Sequence, residues 1–382
     1  MAATREFTKG IPPARPSGRM PPFTEEHEEL RESIRRFVLK ELRPHVQQWE
    51  DDEWFPNEVF HQMAAVGFLG LKYPEEYGGE GGDYLHDAVL SEEMALCGSG
   101  GLAAGVGAHI GIATPPVWKF GTHDQKERFL APAIRGEKIA ALGITEPGAG
   151  SDVAGIRTFA RRVDGGYVVN GSKTFITNGV RADFVVTAVK TTEEGGHHGL
   201  SFLILEREMD GFEPSKKLEK LGWLASDTGE LAFSDVFVPD ENLLGEENKG
   251  FYLIMANFQW ERLLMALGAV ASMDVVIDRV VNAEPGSRWR HAVAEMAVKL
   301  EASRCLTYHA LRRFVDDGNA VREVTEAKLL SQRSAFEVAE TAWRAMQGDL
   351  EIGRAMRDTR LGPIGGGTDE VMKEILAKKL GL

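Results

Sequence analysis

Two short stretches and one helix hold the residues whose types and spacing could do chemistry. Ile144 to Asp152 reads ITEPGAGSD and Gly171 to Gly179 reads GSKTFITNG. In the first, Gly148 and Gly150 free the backbone to bring bare N–H groups close to a ligand, while Thr145 and Ser151 add hydroxyls. In the second, Phe175 and Thr177 lie two residues apart on a strand-like run, so they share one side. An aromatic face beside polar donors suits a flat heterocycle. The same residues also suit a glycine-rich turn joining two strands of an ordinary sheet.

The third feature is Glu261. Phe251, Ile254, Phe258, Glu261, Met265 and Gly268 follow spacings of three and four, so the carboxylate stands within an apolar helical stripe. Burial without a partner would raise its pKa and make it a base. Arg262 points about 100° away around the helix and is no obvious partner. The pattern fits a buried base and fits equally a buried glutamate paired with a cation from another helix.

The elements that must position these residues fall into three parts. Residues 1–22 read as a flexible arm, with prolines that interrupt any amphipathic helix. Thr24 begins a helical unit as an N-cap followed by Glu25, Glu26, Glu28 and Glu29. Further helices are predicted over Pro56–Val66, Tyr84–Leu96, Leu102–Trp118 and Asp124–Ile134. From Ile139 to Phe237 the apolar runs become short and β-branched, with hairpin signals at Asp164-Gly165 and Asn178-Gly179. From Gly250 long helices return over Phe251–Val281, Ser287–Val315, Val321–Met346 and Glu370–Leu380, with the short connections of a bundle. The expected fold is multidomain α+β: a helical N-terminal domain over 23–138, a β-barrel-like middle domain over 139–248 and a C-terminal four-helix-type bundle over 249–382.

Composition narrows the function. The 382 residues are 43% hydrophobic, and 58 acidic against 44 basic residues leave a net charge of −14. That balance argues against nucleic-acid binding. Cys97 and Cys305 build neither a zinc site nor a disulfide framework. No run of eighteen apolar residues exists for a membrane span, and no apolar core marks a signal peptide, so the expected location is cytoplasmic, ahead of the mitochondrial matrix. His197 and His198 beside Glu193 and Glu194 lack a third ligand at useful spacing and read as a solvated loop, so no metal is expected. His109, inside an apolar helix, reads as a core histidine. No G-x-G-x-x-G follows a strand, and in GYVVNGSK the Ser172-Lys173 order is wrong for a P-loop.

ITEPGAGSD and GSKTFITNG, with about twenty residues between them, resemble the flavin-binding signatures of the acyl-CoA dehydrogenase family. The resemblance continues through Leu218 to Gly245 and covers nearly the whole chain. It implies FAD as cofactor, an acyl-CoA substrate, electron-transfer flavoprotein as oxidant and a homo-oligomer, dimer or tetramer. It also implies abstraction of the substrate's α-proton by a glutamate while the β-hydrogen leaves as hydride to the flavin. Most members carry that glutamate in a C-terminal Tyr-Glu-Gly-Thr motif. Here the matching segment is Ile364-Gly365-Gly366-Gly367-Thr368, with Gly366 at the base's place. A minority, the isovaleryl-CoA and long-chain types, carry it on the bundle helix in a Glu-Arg-Leu context, which Trp260-Glu261-Arg262-Leu263 matches.

By the same resemblance Ile144, Thr145, Gly150, Ser151, Phe175, Thr177, Gln347, Thr368 and Glu370 contact FAD. Thr145 and Thr177 make polar contacts with the flavin, and Phe175 packs on its ring. Ser151 stands at the CoA-side entrance, and Thr368 and Glu370 lie near the adenine half. Ser151, Phe258, Arg262, Gly366 and Gly367 meet the substrate. The family stabilises the enolate-like charge with a ribityl hydroxyl of FAD and the backbone N–H of the catalytic glutamate. Two family segments are missing. An Arg-x-x-Phe-Gly stretch should follow the bundle helix, where Val281 runs through Asn282 to Ser287 into Arg288. A Gly-Gly-x-Gly loop is shortened to Gln347-Gly348-Asp349-Leu350. Both losses touch the adenine half of the cofactor site and the subunit contact, and imply weaker FAD binding or an altered tetramer. The alternatives are an acyl-CoA-binding or scaffolding protein derived from the family, and a dehydrogenase of acyl-carrier-protein thioesters.

Overall fold

The computed structural model describes residues 22–192 and 196–382; the N-terminal arm, but for its last residue, and the acidic part of the histidine-containing loop lie outside the described residues. The chain begins with α1 (Glu25–Phe37), α2 (Val46–Asp51), α3 (Glu58–Ala64), α4 (Tyr84–Met94), α5 (Gly100–Gly107), α6 (Thr114–Phe120), α7 (His123–Gln125) and α8 (Ala131–Ile134). The helix expected over Leu102–Trp118 is broken by a π turn at Ala108–Ala113, where Thr114 and two prolines start the next segment. Proline lacks the N–H that would continue the ladder. His109 is fully buried there as a core group. Its Nδ1 accepts from the Ala140 N–H at 3.0 Å and its Nε2 bonds the Ala133 carbonyl at 3.0 Å. Burial pulls its pKa down to about 4, so the ring is neutral.

The sheet comprises β1 (Ala140–Gly143), β2 (Phe159–Val163), β3 (Gly166–Thr177), β4 (Phe184–Lys190), β5 (Leu200–Glu206), β6 (Phe212–Lys217), β7 (Thr228–Pro239) and β8 (Leu243–Leu244). Its order is β6-β7-β3-β2-β4-β5-β8, with β1 added in parallel to β4. The barrel-like expectation is corrected here, because the sheet is open. β6 and β8 are its two ends, and both suit edges. β6 carries Pro214 and exposed Glu213, Ser215 and Lys216, while β8 is two residues long.

The helical remainder is α9 (Gly250–Asn282), α10 (Arg290–Asp317), α11 (Val321–Ala345), α12 (Leu350–Asp358) and α13 (Asp369–Lys379). α12 is an addition to the sequence reading. Asp349 caps it by accepting from Glu351 N and Ile352 N, and also takes the Arg279 guanidinium at the end of α9. One core joins α1, α4 and the loops of the N-terminal part to α9, α10 and α11; another joins α6 and α8 to one face of the sheet. α9 therefore touches every part, and the site lies along it.

Candidate active site

A cavity of about 1110 Å³ runs between the Gly-rich segment Gly98–Ile112, the motifs of the sheet, α9 and the loop before α13. The two sheet motifs are tied to one another before they meet any ligand. The Thr174 N–H donates to the Thr145 carbonyl at 2.9 Å. Lys173, wholly buried, donates to the Ile144 carbonyl at 3.0 Å and to Glu146 Oε1 at 2.8 Å. Glu146 also accepts the Arg157 N–H at 2.6 Å and the Thr158 N–H at 3.0 Å. Burial alone would push Glu146 up, but Lys173 and these donors outweigh it and hold its pKa below the ordinary value. Burial brings Lys173 down to about 8, so the pair is ionised at neutral pH. Sequence reasoning missed this pair. Its signal was a lysine and a glutamate of opposite charge, one in each of two motifs whose other residues are mostly small, apolar or hydroxylic.

At the end of β3 the register slips between Lys173 and Ile176, and Phe175 takes φ +60. An aromatic residue with positive φ is a strained choice, of the kind that persists where surrounding structure imposes it. The result is a ring 69% exposed on a strand whose neighbours Thr174 and Ile176 are buried. Phe175 and Thr177 both line the cavity, as do Ile144, Thr145, Gly150 and Ser151, the last exposed at its mouth. A bare ring with hydroxyls on either side fits the flat ring system of a flavin.

α9 supplies the opposite wall. Trp260 is buried against Tyr84 and Phe314, ring centroids 4.5 and 5.7 Å away, which fixes the rotation of the helix and turns Glu261 and Phe258 to the cavity. Glu261 Oε2 is sealed from solvent and has no hydrogen-bond partner among the described residues. Burial raises its pKa from 4.5 to about 7; Arg262 and Lys328 pull the other way and do not compensate. Arg262 is committed elsewhere, donating from Nε to the Gly366 carbonyl at 3.3 Å. Lys328 of α11 reaches the same loop, donating to the carbonyls of Gly362 at 2.9 Å and Gly367 at 2.7 Å. The sequence reading did not single out Lys328. A lysine among Val324, Ala327, Ser331 and Ala335 on one helical face was the available clue.

The loop so held brings Gly366 to the base. Gly366 has φ +63, and a Cβ there would collide with Met265 Sδ while lying 3.8 Å from Glu261 Oε1. Gly367 and Thr368 also line the cavity, and Thr368 caps α13 by accepting the Val371 N–H. Two candidates are not brought to the cavity. Glu370 is exposed, because α13 turns Asp369 inward to Arg333 and the next side chain outward. Gln347 is exposed in the turn between α11 and α12.

Comparison with known proteins places nearly the whole chain in one family. Residues 24–137 match the acyl-CoA dehydrogenase N-terminal domain, 141–236 the middle domain and 248–381 the C-terminal domain. This chain belongs to the acyl-CoA dehydrogenase family. It is 36% identical over 378 residues to the mouse mitochondrial long-chain specific acyl-CoA dehydrogenase, covering 94% of this chain and 87% of that one. It is 34% identical over 376 residues to the potato mitochondrial isovaleryl-CoA dehydrogenase, covering 94% and 91%. The crystal structure of acyl-CoA dehydrogenase from Geobacillus kaustophilus superposes with a TM-score of 0.92 at 37% identity, covering 95% of this chain and 100% of that one. The family is FAD-dependent and oxidoreductive, and the exposed Phe175 ring flanked by hydroxyls fits that cofactor here. No helix among the described residues is long and apolar enough to cross a membrane.

Proposed function

We propose that this acyl-CoA dehydrogenase converts an acyl-CoA thioester to the trans-2-enoyl-CoA, with Glu261 taking the α-proton. The observation that carries this reading is Glu261 Oε2, buried without a hydrogen-bond partner among the described residues in the cavity wall, with the carboxyl pKa raised to about 7 by burial. A carboxylate poised near neutral pH is a far better proton acceptor than one held at 4.5. FAD, held by the Thr145 to Ser151 loop and the Phe175–Thr177 strand end, supplies the acceptor for the β-hydride. The residues of the chain do the rest.

Glu261 lies inside α9, so its own N–H belongs to the helical ladder and is not free for a thioester oxygen. That part of the family expectation does not transfer. The Gly366 N–H is the candidate replacement: Gly366 stands beside Glu261, and Arg262 holds the following peptide through the Gly366 carbonyl. An N–H aimed at the thioester oxygen would stabilise charge that develops as the α-proton leaves. The glycine admits that close approach where any side chain would meet Met265. Electron-transfer flavoprotein is the proposed oxidant of the reduced enzyme, and a dimer or loosened tetramer the proposed assembly.

The test is anaerobic bleaching of enzyme-bound flavin by acyl-CoAs of several chain lengths, after titration of apo-protein with FAD. Binding of FAD and rapid bleaching are expected, with an FAD affinity weakened by the short turn after α9. No FAD binding at high micromolar concentration would favour the scaffolding alternative. Bleaching by carrier-protein thioesters alone would shift the substrate class.

A further inference from the structure

The N-termini of α1 and α4 pack against each other, and each carries a histidine at its third position. His27 Nδ1 lies 3.1 Å from the N–H of the cap Thr24, and His86 Nδ1 lies 3.1 Å from the N–H of the cap Asp83. Glutamate or glutamine is the usual residue at that place in a capping box. The two imidazoles approach to 4.5 Å between ring centroids.

His27 is only 4% exposed, yet its Nε2 has no hydrogen-bond partner among the described residues. That nitrogen faces α4, 4.0 Å from Asp83 Oδ1. Burying a polar ring nitrogen without a partner is costly. Nδ1 accepts the Thr24 N–H, which leaves the proton of the neutral ring on Nε2; to free the Nε2 lone pair for an ion that proton would have to move to Nδ1, where Thr24 Oγ1, 2.6 Å away, can accept it. A second hydrogen bond of this kind behind the ring is what orients a metal-binding histidine. One ligand atom from each of His27, Asp83 and His86 lies within 4.8 Å of the others. Glu26 Oε1 stands 3.7 Å from His86 Nε2 and can close a fourth position.

We propose that His27, Asp83 and His86 bind one divalent transition-metal ion of the zinc type. Two imidazoles and a carboxylate are ligands that such ions take. Bonds of about 2.0–2.1 Å in a tetrahedron set ligand atoms roughly 3.4 Å apart. The present spacing is wider, 4.0 Å between His27 Nε2 and Asp83 Oδ1, so binding would require the half-exposed Asp83 side chain and His86 to close on His27. Asp83 caps α4 through Oδ1, and Oδ2 takes no part in that cap. The ion would clamp the start of α1 to α4, the helix that lines the cavity with Leu90, Ser91 and Met94.

The test uses the full FAD-loaded chain, stripped with EDTA and desalted. Zn(II) binding is followed by calorimetry, and Co(II) binding by its ligand-field absorption to the red of the flavin bands. One ion per chain and a higher melting temperature are expected. Asp83→Asn keeps a good N-cap but loses the anionic ligand, and His86→Gln keeps the capping box but loses the imidazole. Each should weaken binding at least about tenfold while leaving the metal-free melting temperature and flavin bleaching unchanged. Failure of the wild type to take up stoichiometric Co(II) would overturn the proposal. Equal uptake by either single variant, or by the two changes combined, would place the ion elsewhere, for instance on the exposed Cys305, and overturn it as well.

Discussion

Glu146 lies buried behind the motif whose Thr145 lines the cavity, Glu261 lies in the facing cavity wall, and burial acts on both. Glu146 is given a lysine and two backbone N–H donors, and its pKa falls. Glu261 is given none for Oε2; its neighbouring cations are turned to the glycine loop, and its pKa rises to about 7. The first ties the two sheet motifs together, and the second is left uncompensated, as the proposed base requires. The difference lies in where the nearby cations spend their hydrogen bonds: Lys173 on its glutamate, Arg262 and Lys328 on backbone carbonyls.

The largest effect should follow from removing the reactive member. Glu261→Gln is expected to slow flavin bleaching by about a hundredfold to ten-thousandfold at equal flavin content. The same change should stabilise the fold at pH 8. A carboxyl with a raised pKa binds its proton more tightly when folded, so its ionisation destabilises the protein as pH rises from 4.5 through about 7. The gain from Gln should be on the order of 2 kcal/mol at pH 8 and absent near pH 4. Thermal melts at the two pH values decide it; a loss of stability at pH 8 would make Glu261 a structural ion-pair partner instead.

Removing the structural member should do the opposite. Lys173→Met leaves Glu146 buried without its cation, at a cost of about 3–5 kcal/mol. Melting temperature and FAD retention should both drop, while bleaching per bound flavin persists. Adding Glu146→Gln should return part of the stability, because the uncompensated charge is gone. If FAD affinity stays at the wild-type level in Lys173→Met, the two motifs do not depend on that pair.

Moving the base tests whether the loop and α9 address the same point. Gly366→Glu in the Glu261→Gln background should recover a fraction of the lost rate. Recovery should be incomplete, because φ +63 costs a non-glycine residue roughly 1–2 kcal/mol and Met265 must move aside. Met265→Ala added to that pair should improve it. No recovery in either would separate the two positions.

The smallest effect is a pH profile. Bleaching by wild type should rise through about pH 7 as Glu261 loses its proton, then level off. A profile flat from pH 5.5 to 8.5 would show that the group is already ionised and that its neighbours compensate it after all.

Much of this was legible in the chain. The period of the apolar residues placed Glu261 inside a stripe, and the cap and glycine signals marked α1 and the Asp164-Gly165 hairpin, because helix and strand periodicity are local properties. Asn178-Gly179, read as a second hairpin, instead joins β3 to β4, which do not pair, because pairing is decided by distant strands. The motifs around Thr145 and Phe175 were legible as a site only through the family resemblance, since their residues alone suit an ordinary glycine-rich turn equally. The open edges of the sheet were not, since closure depends on which distant strands pair. α12 escaped because its start is set by Asp349 answering Arg279, far away in sequence.

What the sequence by itself determined is the set of groups: a carboxylate in an apolar helix face, a glycine where the resemblance implies most relatives carry the base, an aromatic residue and hydroxyls in two motifs. What only the tertiary structure decided is which charges are compensated. Lys173 and Glu146 are 27 residues apart, and Lys328 reaches Gly362 and Gly367 across 34 and 39 residues. A pKa depends on desolvation and on charges a few ångströms away. Those distances are fixed by packing between elements, and no local spacing encodes them.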